Sequence, residues 1–174
     1  MINRVGPTGE CDFVRDLAAP LPMVMIGDML GVLPEDRGKL LQWSDDLLVL
    51  TTSSFTPEME AISNRVRDEY FAYTVKVAEQ RRQNPTDDLM SILVNAEVDG
   101  HKLDLEGVIH ESMLILIGGD ETTRHVITGG TEALIQRPEQ RRKLLDEPGR
   151  IPTAVEELLR WVSPIHNMSR TTTE

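Results

Sequence analysis

The residues best placed to do chemistry stand together at Gly118-Gly119-Asp120-Glu121-Thr122-Thr123-Arg124, where an apolar run meets two glycines, two acids and two hydroxyls. Two readings fit. In the first, a helix ends at the glycines and Asp120 caps a new one. Residue chemistry alone favours this, because a glycine costs about 1 kcal/mol against alanine inside a helix. In the second, one helix runs through with a local kink. The glycines then let a flat ligand approach the backbone, and the neighbouring acid and hydroxyls could pass a proton. A second constellation, Glu157-Leu158-Leu159-Arg160, sets an acid and a guanidinium three residues apart on one helix face. The ordinary reading is a surface ion pair contributing a few tenths of a kcal/mol, about 0.3. Val155, Leu159 and Trp161 spread apolar groups round this helix, so the pair is expected to be partly buried.

Metal ligation and nucleophilic catalysis find less support. Glu97/His101, Glu106/His110 and Glu121/His125 are each four apart and could supply two ligands, but no Glu and His stand three apart on the apolar helices, as a di-iron bundle needs. No two histidines stand four apart either. Cys11 lies between Glu10 and Asp12, an electronegative setting unlike that of a reactive thiolate. Ser112 and Ser163 have no fixed base nearby. Trp43 and Trp161 fall at core spacing, and His101, His125 and His166 carry no distinctive context.

Helices must position these groups. Phe13, Val14, Leu17, Leu21, Val24, Met25 and Met29 recur at threes and fours, with Pro20 and Pro22 splitting the run in two. Pro34-Glu35-Asp36 opens a helix that turns Leu40, Leu41, Trp43, Leu47 and Leu48 inward. Thr51 to Pro57 is a connector. Residues 58–83 form a long charged helix with Ile62, Val66, Tyr70, Tyr73 and Val77 on one stripe. Thr86 can cap a short helix over 87–96, and Asp99-Gly100 reads as a turn between two short strands. Leu105, Val108, Ile109, Ser112, Met113 and Leu116 fit a helix, and Met113 to Ile117, apolar all round, should be buried on every side. Pro138 and Pro152 start two further helices. No strand-turn-helix alternation or phosphate-binding glycine loop occurs, so a parallel-sheet fold is not expected.

The 174 residues suit one domain or two small ones. An apolar share of 40% suffices for a core that aliphatic residues must fill, since aromatics are only 4%. A single cysteine excludes an internal disulfide framework and multi-cysteine metal sites. No apolar run approaches the ~20 residues of a membrane span, and early charges at Arg4, Glu10 and Asp12 exclude a signal peptide from these residues. A cytoplasmic setting is expected. The net charge of −11 argues against nucleic acid as a partner.

Taken in order, GGDETT at 118–123, EELLR at 156–160, Pro164 and Met168-Ser169-Arg170 resemble the middle of a bacterial cytochrome P-450, a haem-thiolate monooxygenase. CDFVRDLAAPLPMVMIGDMLGVLPEDR is similar to the segment before that family's lid helices, and LLQWSDDLL with the helix over 58–83 is similar to the lid helices themselves. GGDETTRH followed by GGTEALI looks most like actinobacterial enzymes that hydroxylate sterol side chains. The resemblance implies a mainly α chain with little β-structure: lid helices at about 35–83, a distal haem helix at about 104–136 and a glutamate-arginine helix at about 152–162.

It also implies roles. Gly118 and Gly119 would let the long helix cross the distal face of haem b. Thr122 would hydrogen-bond the dioxygen bound there, with Glu121 bringing protons in from solvent. Glu157 and Arg160 would brace the core, Arg170 would pair with a haem propionate, and Leu114, Ile117 and Gly118 would face a hydrophobic substrate. Residues 50–55 would form the lid connector. Electrons would come from a ferredoxin or a reductase. The family's iron ligand is a cysteine in a loop beyond the glutamate-arginine helix. These residues contain no such loop, and Cys11 stands on the wrong side of the motifs. The resemblance therefore covers a central fragment, expected to be inactive alone, with no metal ligand of its own. A non-catalytic helical remnant that binds an apolar ligand or partner is the alternative.

Overall fold

The computed structural model describes residues 1–48, 56–167 and 172. Eight helices are formed among them: α1 Ile2–Val5, α2 Pro20–Met29, α3 Arg37–Leu48, α4 Pro57–Gln83, α5 Leu89–Asn95, α6 Leu105–Gln136, α7 Pro138–Asp146 and α8 Ile151–Val162. A π turn over Val14–Ala18 precedes α2, so the run expected to break at Pro20 does so. No strand occurs among the described residues; Val98 and His101 make one isolated antiparallel bridge around the Asp99-Gly100 turn, where a pair of short strands was expected. The residues divide into two compact units, Pro20–Asp120 and Met1–Ala19 with Glu121–Glu174.

The unit over Pro20–Asp120 holds the larger core. Met23, Ile26 and Leu30 of α2, Leu40, Trp43 and Leu47 of α3, Val66 and Tyr70 of α4, and Ile109 and Leu116 of α6 are buried together. The Trp43 ring meets Tyr70 edge-on at 5.5 Å and donates its N–H to Glu69 Oε2 at 2.9 Å. Tyr70 donates its hydroxyl to Ser112 Oγ at 3.0 Å, and burial pushes its phenol above the usual range. The expected stripe on α4 is therefore the one that packs.

Caps follow residue chemistry with one correction. Thr56 accepts from the Met59 amide at the start of α4. At α5 the cap is Asp88, not Thr86: the Ser91 amide donates to Asp88 Oδ1 at 2.7 Å, while Thr86 donates its hydroxyl to Asp88 Oδ2 at 2.6 Å. A carboxylate can accept several hydrogen bonds at once, and Arg81 Nε supplies a third at 2.6 Å.

Two expectations about burial fail. Leu114 is 64% exposed although Met113 to Ile117 is apolar all round. Up to residue 120 the buried positions of α6 are the stripe Val108, Ser112, Leu116 and Asp120 together with Ile109, and Leu114 lies off them. Trp161, expected to pack in a core, is half-exposed, and the Arg137 guanidinium lies over its ring at 4.5 Å from the centroid.

Candidate active site on α6 and α8

The long helix α6 is continuous through Gly118-Gly119, so the favoured reading of a helix end at the glycines is wrong. Two glycines are tolerated because tertiary packing, not intrinsic propensity, decides a helix of this length. They do different things. A Cβ at Gly119 would stand 2.8 Å from Ile26 Cδ1, so this glycine lets α2 approach α6 closely. A Cβ at Gly118 would meet nothing within 4 Å, leaving an open stretch of backbone. Leu114, one turn earlier on that face, is exposed, and Ile117 is half-buried.

Asp120 is a residue whose placement the sequence did not suggest. It is fully buried, and Ser44 of α3 donates to its Oδ2 at 2.8 Å. Its position at the end of the Val108, Ser112, Leu116 stripe was the available signal.

From Glu121 onward α6 packs on α8. Gly129 and Gly130 make this contact possible: a Cβ would stand 3.0 Å from Val162 Cγ2 at the first and 3.1 Å from the Leu158 methyls at the second. Towards the start of this stretch lies a cavity of about 250 Å³. Val126, Ile127, Val155, Leu158, Leu159 and Pro164 make its apolar wall, and Thr122 and Thr123 line the rest. Glu121 stands beside Thr122 in the chain. Its Oε1 lies 3.4 Å from His125 Nε2, and its Oε2 is buried with no hydrogen-bond partner among the described residues.

Glu157 and Arg160 pair as a fork, with Arg160 Nε donating to Oε2 and Nη2 to Oε1, both at 2.6 Å. That hydrogen bonding holds the Glu157 carboxyl below its ordinary range. The expectation of partial burial fails, since both side chains are exposed. The apolar neighbours that prompted it, Val155, Leu159 and Trp161, are themselves about half-exposed. Glu157 lines a groove of about 540 Å³ between the end of α6, α7 and α8. Cys11 is exposed. Arg170 and the connector over 50–55 lie outside the described residues.

Residues 32–174 match the sequence profile of the Cytochrome P450 family. The chain is 51% identical to a steroid C26-monooxygenase of Mycolicibacterium smegmatis, over 99% of this chain and 43% of that protein. It is 40% identical to a methyl-branched lipid omega-hydroxylase of Mycobacterium bovis, over 97% of this chain and 39% of that one. Among solved structures, the cytochrome P450 PksS of the Bacillus subtilis bacillaene polyketide synthase superposes with a TM-score of 0.84 at 32% identity, covering 94% of this chain and 41% of that one. CYP109E1 of Bacillus megaterium, solved with testosterone, gives 0.83 at 32% identity, over 94% and 43%. The chain belongs to the cytochrome P450 family. It spans less than half the length of the relatives it matches.

The family implies haem, and the cavity walls fit part of one. Six aliphatic side chains and two hydroxyls, with no charge among them, suit the edge of a flat apolar macrocycle. No three His, Cys, Asp or Glu side chains among the described residues converge to hold a metal ion. No helix among them is long and apolar enough to cross a membrane.

Proposed function

We propose that this chain is the oxygen-handling and lid segment of a haem-dependent monooxygenase that inserts one oxygen atom of dioxygen into a C–H bond of a hydrophobic substrate. A sterol side chain is the substrate class that the named relatives support best. The observation that carries the reading is the continuous helix α6, which sets the Thr122 hydroxyl on the wall of an apolar cavity with a carboxylate next to it in the chain.

When bound, haem supplies the redox chemistry of dioxygen. The chain's own residues do the rest. Thr122 sets a hydroxyl on the wall of an otherwise apolar space. Glu121, its neighbour in the chain, would carry protons towards it, with one oxygen beside His125 and the other buried. Aliphatic walls exclude water and so strengthen each hydrogen bond made inside. Val126 and Leu158 would hold the macrocycle edge, and Gly118 with Leu114 and Ile117 would face substrate. Arg170 would take a propionate through a charge-assisted bond. Glu157 and Arg160 would brace α8. Helices α3 and α4 would form the lid, with the connector over 50–55 gating entry. Cys11 would not be the axial thiolate, and electrons would come from a ferredoxin or a reductase.

Thr122→Ala in the haem-loaded protein is the test. Haem content should be unchanged while electron consumption uncouples from product formation. Unaltered coupling would remove Thr122 from oxygen handling and, with it, the main support for this reading.

A further inference from the structure

Glu121 is not placed like an ordinary surface carboxylate. A side chain in a solvent-facing ion pair wets both oxygens. Here Oε1 faces the His125 ring at 3.4 Å, and Oε2 is buried with no hydrogen-bond partner among the described residues. The two partners also differ in exposure: the His125 side chain is 53% exposed and that of Glu121 only 28%. The carboxyl thus has one oxygen beside a solvent-accessible imidazole and the other out of contact with solvent, and Thr122, the next residue in the chain, lines the apolar cavity. The two groups are four residues apart on α6, which places both on one face, one turn from each other.

We infer that His125 is the solvent-side positioning residue of a two-step proton path through Glu121. This rests on the monooxygenase reading, in which one C–H substrate molecule, dioxygen, two electrons from a ferredoxin or a reductase and two protons yield one hydroxylated product and one water. The imidazolium N–H at Nε2 gives its proton to Glu121 Oε1. The carboxyl then turns so that the protonated oxygen faces inward, and the proton passes to the oxygen atom that leaves as water. Solvent reprotonates the ring. Histidine suits the outer position because its two ring nitrogens can donate and accept hydrogen bonds in turn. An exposed ring also exchanges protons with water without any barrier of burial.

The alternative is an i,i+4 helix-surface pair with no part in turnover. Two experiments separate the readings. In the chain itself, labelled with ¹⁵N at histidine, Glu121→Gln should move the ring-nitrogen resonances of His125 and leave those of His101 in place. Unmoved His125 resonances would overturn the contact on which the path depends. In the haem-loaded protein, His125→Gln and His125→Ala should both lower kcat by about tenfold. That is less than the 10²–10⁴ of a direct proton donor because water can stand in. KM and haem content should hold, and the solvent deuterium isotope effect on kcat should grow. Glutamine keeps helix propensity and a hydrogen-bond donor but cannot relay a proton, so wild-type kcat and isotope effect in His125→Gln would overturn the proposal. Unsubstituted protein that takes haem yet forms no product would sink the monooxygenase reading and the path together. Normal wild-type turnover that survives His125→Gln would sink the path alone.

Discussion

Removing the Ser44–Asp120 hydrogen bond should cost more than either side chain's own contribution to packing. Both residues are fully buried, and the hydroxyl donates to the carboxyl at 2.8 Å. A hydrogen bond contributes about 0.5–1.5 kcal/mol net, and a buried polar group that loses one of its partners costs about 1–3 kcal/mol in desolvation. Ser44→Ala takes a donor from Asp120, and Asp120→Leu strands the Ser44 hydroxyl. The double variant leaves neither of these two groups facing an apolar replacement of the other, and whatever else Asp120→Leu removes is common to the single and double variants and cancels in the cycle. A double-mutant cycle should therefore show a coupling of about 2 kcal/mol. Each single variant should lower the melting temperature by about 4–8 °C, from about 2–4 °C per kcal/mol for a chain of this size. Trp43 sits one residue before Ser44 in the same core and reports this unit. Its fluorescence can be followed during urea unfolding in a Trp161→Phe background. Additivity within about 0.5 kcal/mol would refute the argument, because independent sites add to that tolerance.

Three further outcomes follow from the same geometry. Asp88 is buried, which alone would raise its pKa, but the Thr86 hydroxyl, the Ser91 amide and Arg81 outweigh burial and hold it below the ordinary carboxylate range. Its stabilisation should thus be complete above the unfolded value of about 3.9 and vanish as pH falls through the lower folded value. Asp88→Asn should flatten that acid limb of a stability-versus-pH curve and, by breaking a buried pair, cost about 3–5 kcal/mol at neutral pH. Gly130→Ala should be near neutral, since its Cβ meets only the flexible end of Leu158, whereas Gly130→Leu should displace α8 and speed amide exchange there. In alkaline spectrophotometric titration Tyr73 should ionise only near pH 12, because burial and the neighbouring Asp36 carboxylate both resist the phenolate.

Much of the architecture was legible because it rests on periodicity. Pro20, Pro34 and the turn at Asp99-Gly100 punctuate the chain locally, and the Val66, Tyr70, Val77 stripe on α4 packs as its spacing demands. What periodicity could not show was the choice between equivalent faces. Met113 to Ile117 is apolar all round, so nothing in the run itself says that Leu116 is inside and Leu114 outside. The acid Asp120 continues the buried stripe and looked like a cap because short-range chemistry rates aspartate at helix starts. Its partner Ser44 lies 76 residues away, beyond any local pattern. Intrinsic propensity likewise argued for a break at Gly118-Gly119, whereas the close approach of Ile26 gives Gly119 a packing reason to stand inside a helix. At the candidate site, the types of Glu121 and Thr122 were legible, but the burial of Glu121 Oε2 and the contact of Oε1 with His125 are three-dimensional facts.

The most direct measurement is the carbon monoxide difference spectrum of the reduced protein, purified in the form in which the cell makes it. The account predicts tightly bound haem with the red-shifted band of a thiolate-ligated iron, a spectral change on adding a sterol, and loss of product coupling in Thr122→Ala. A stable, folded protein in that form that takes up no haem would contradict it, and α6 would then line a site for some other apolar ligand.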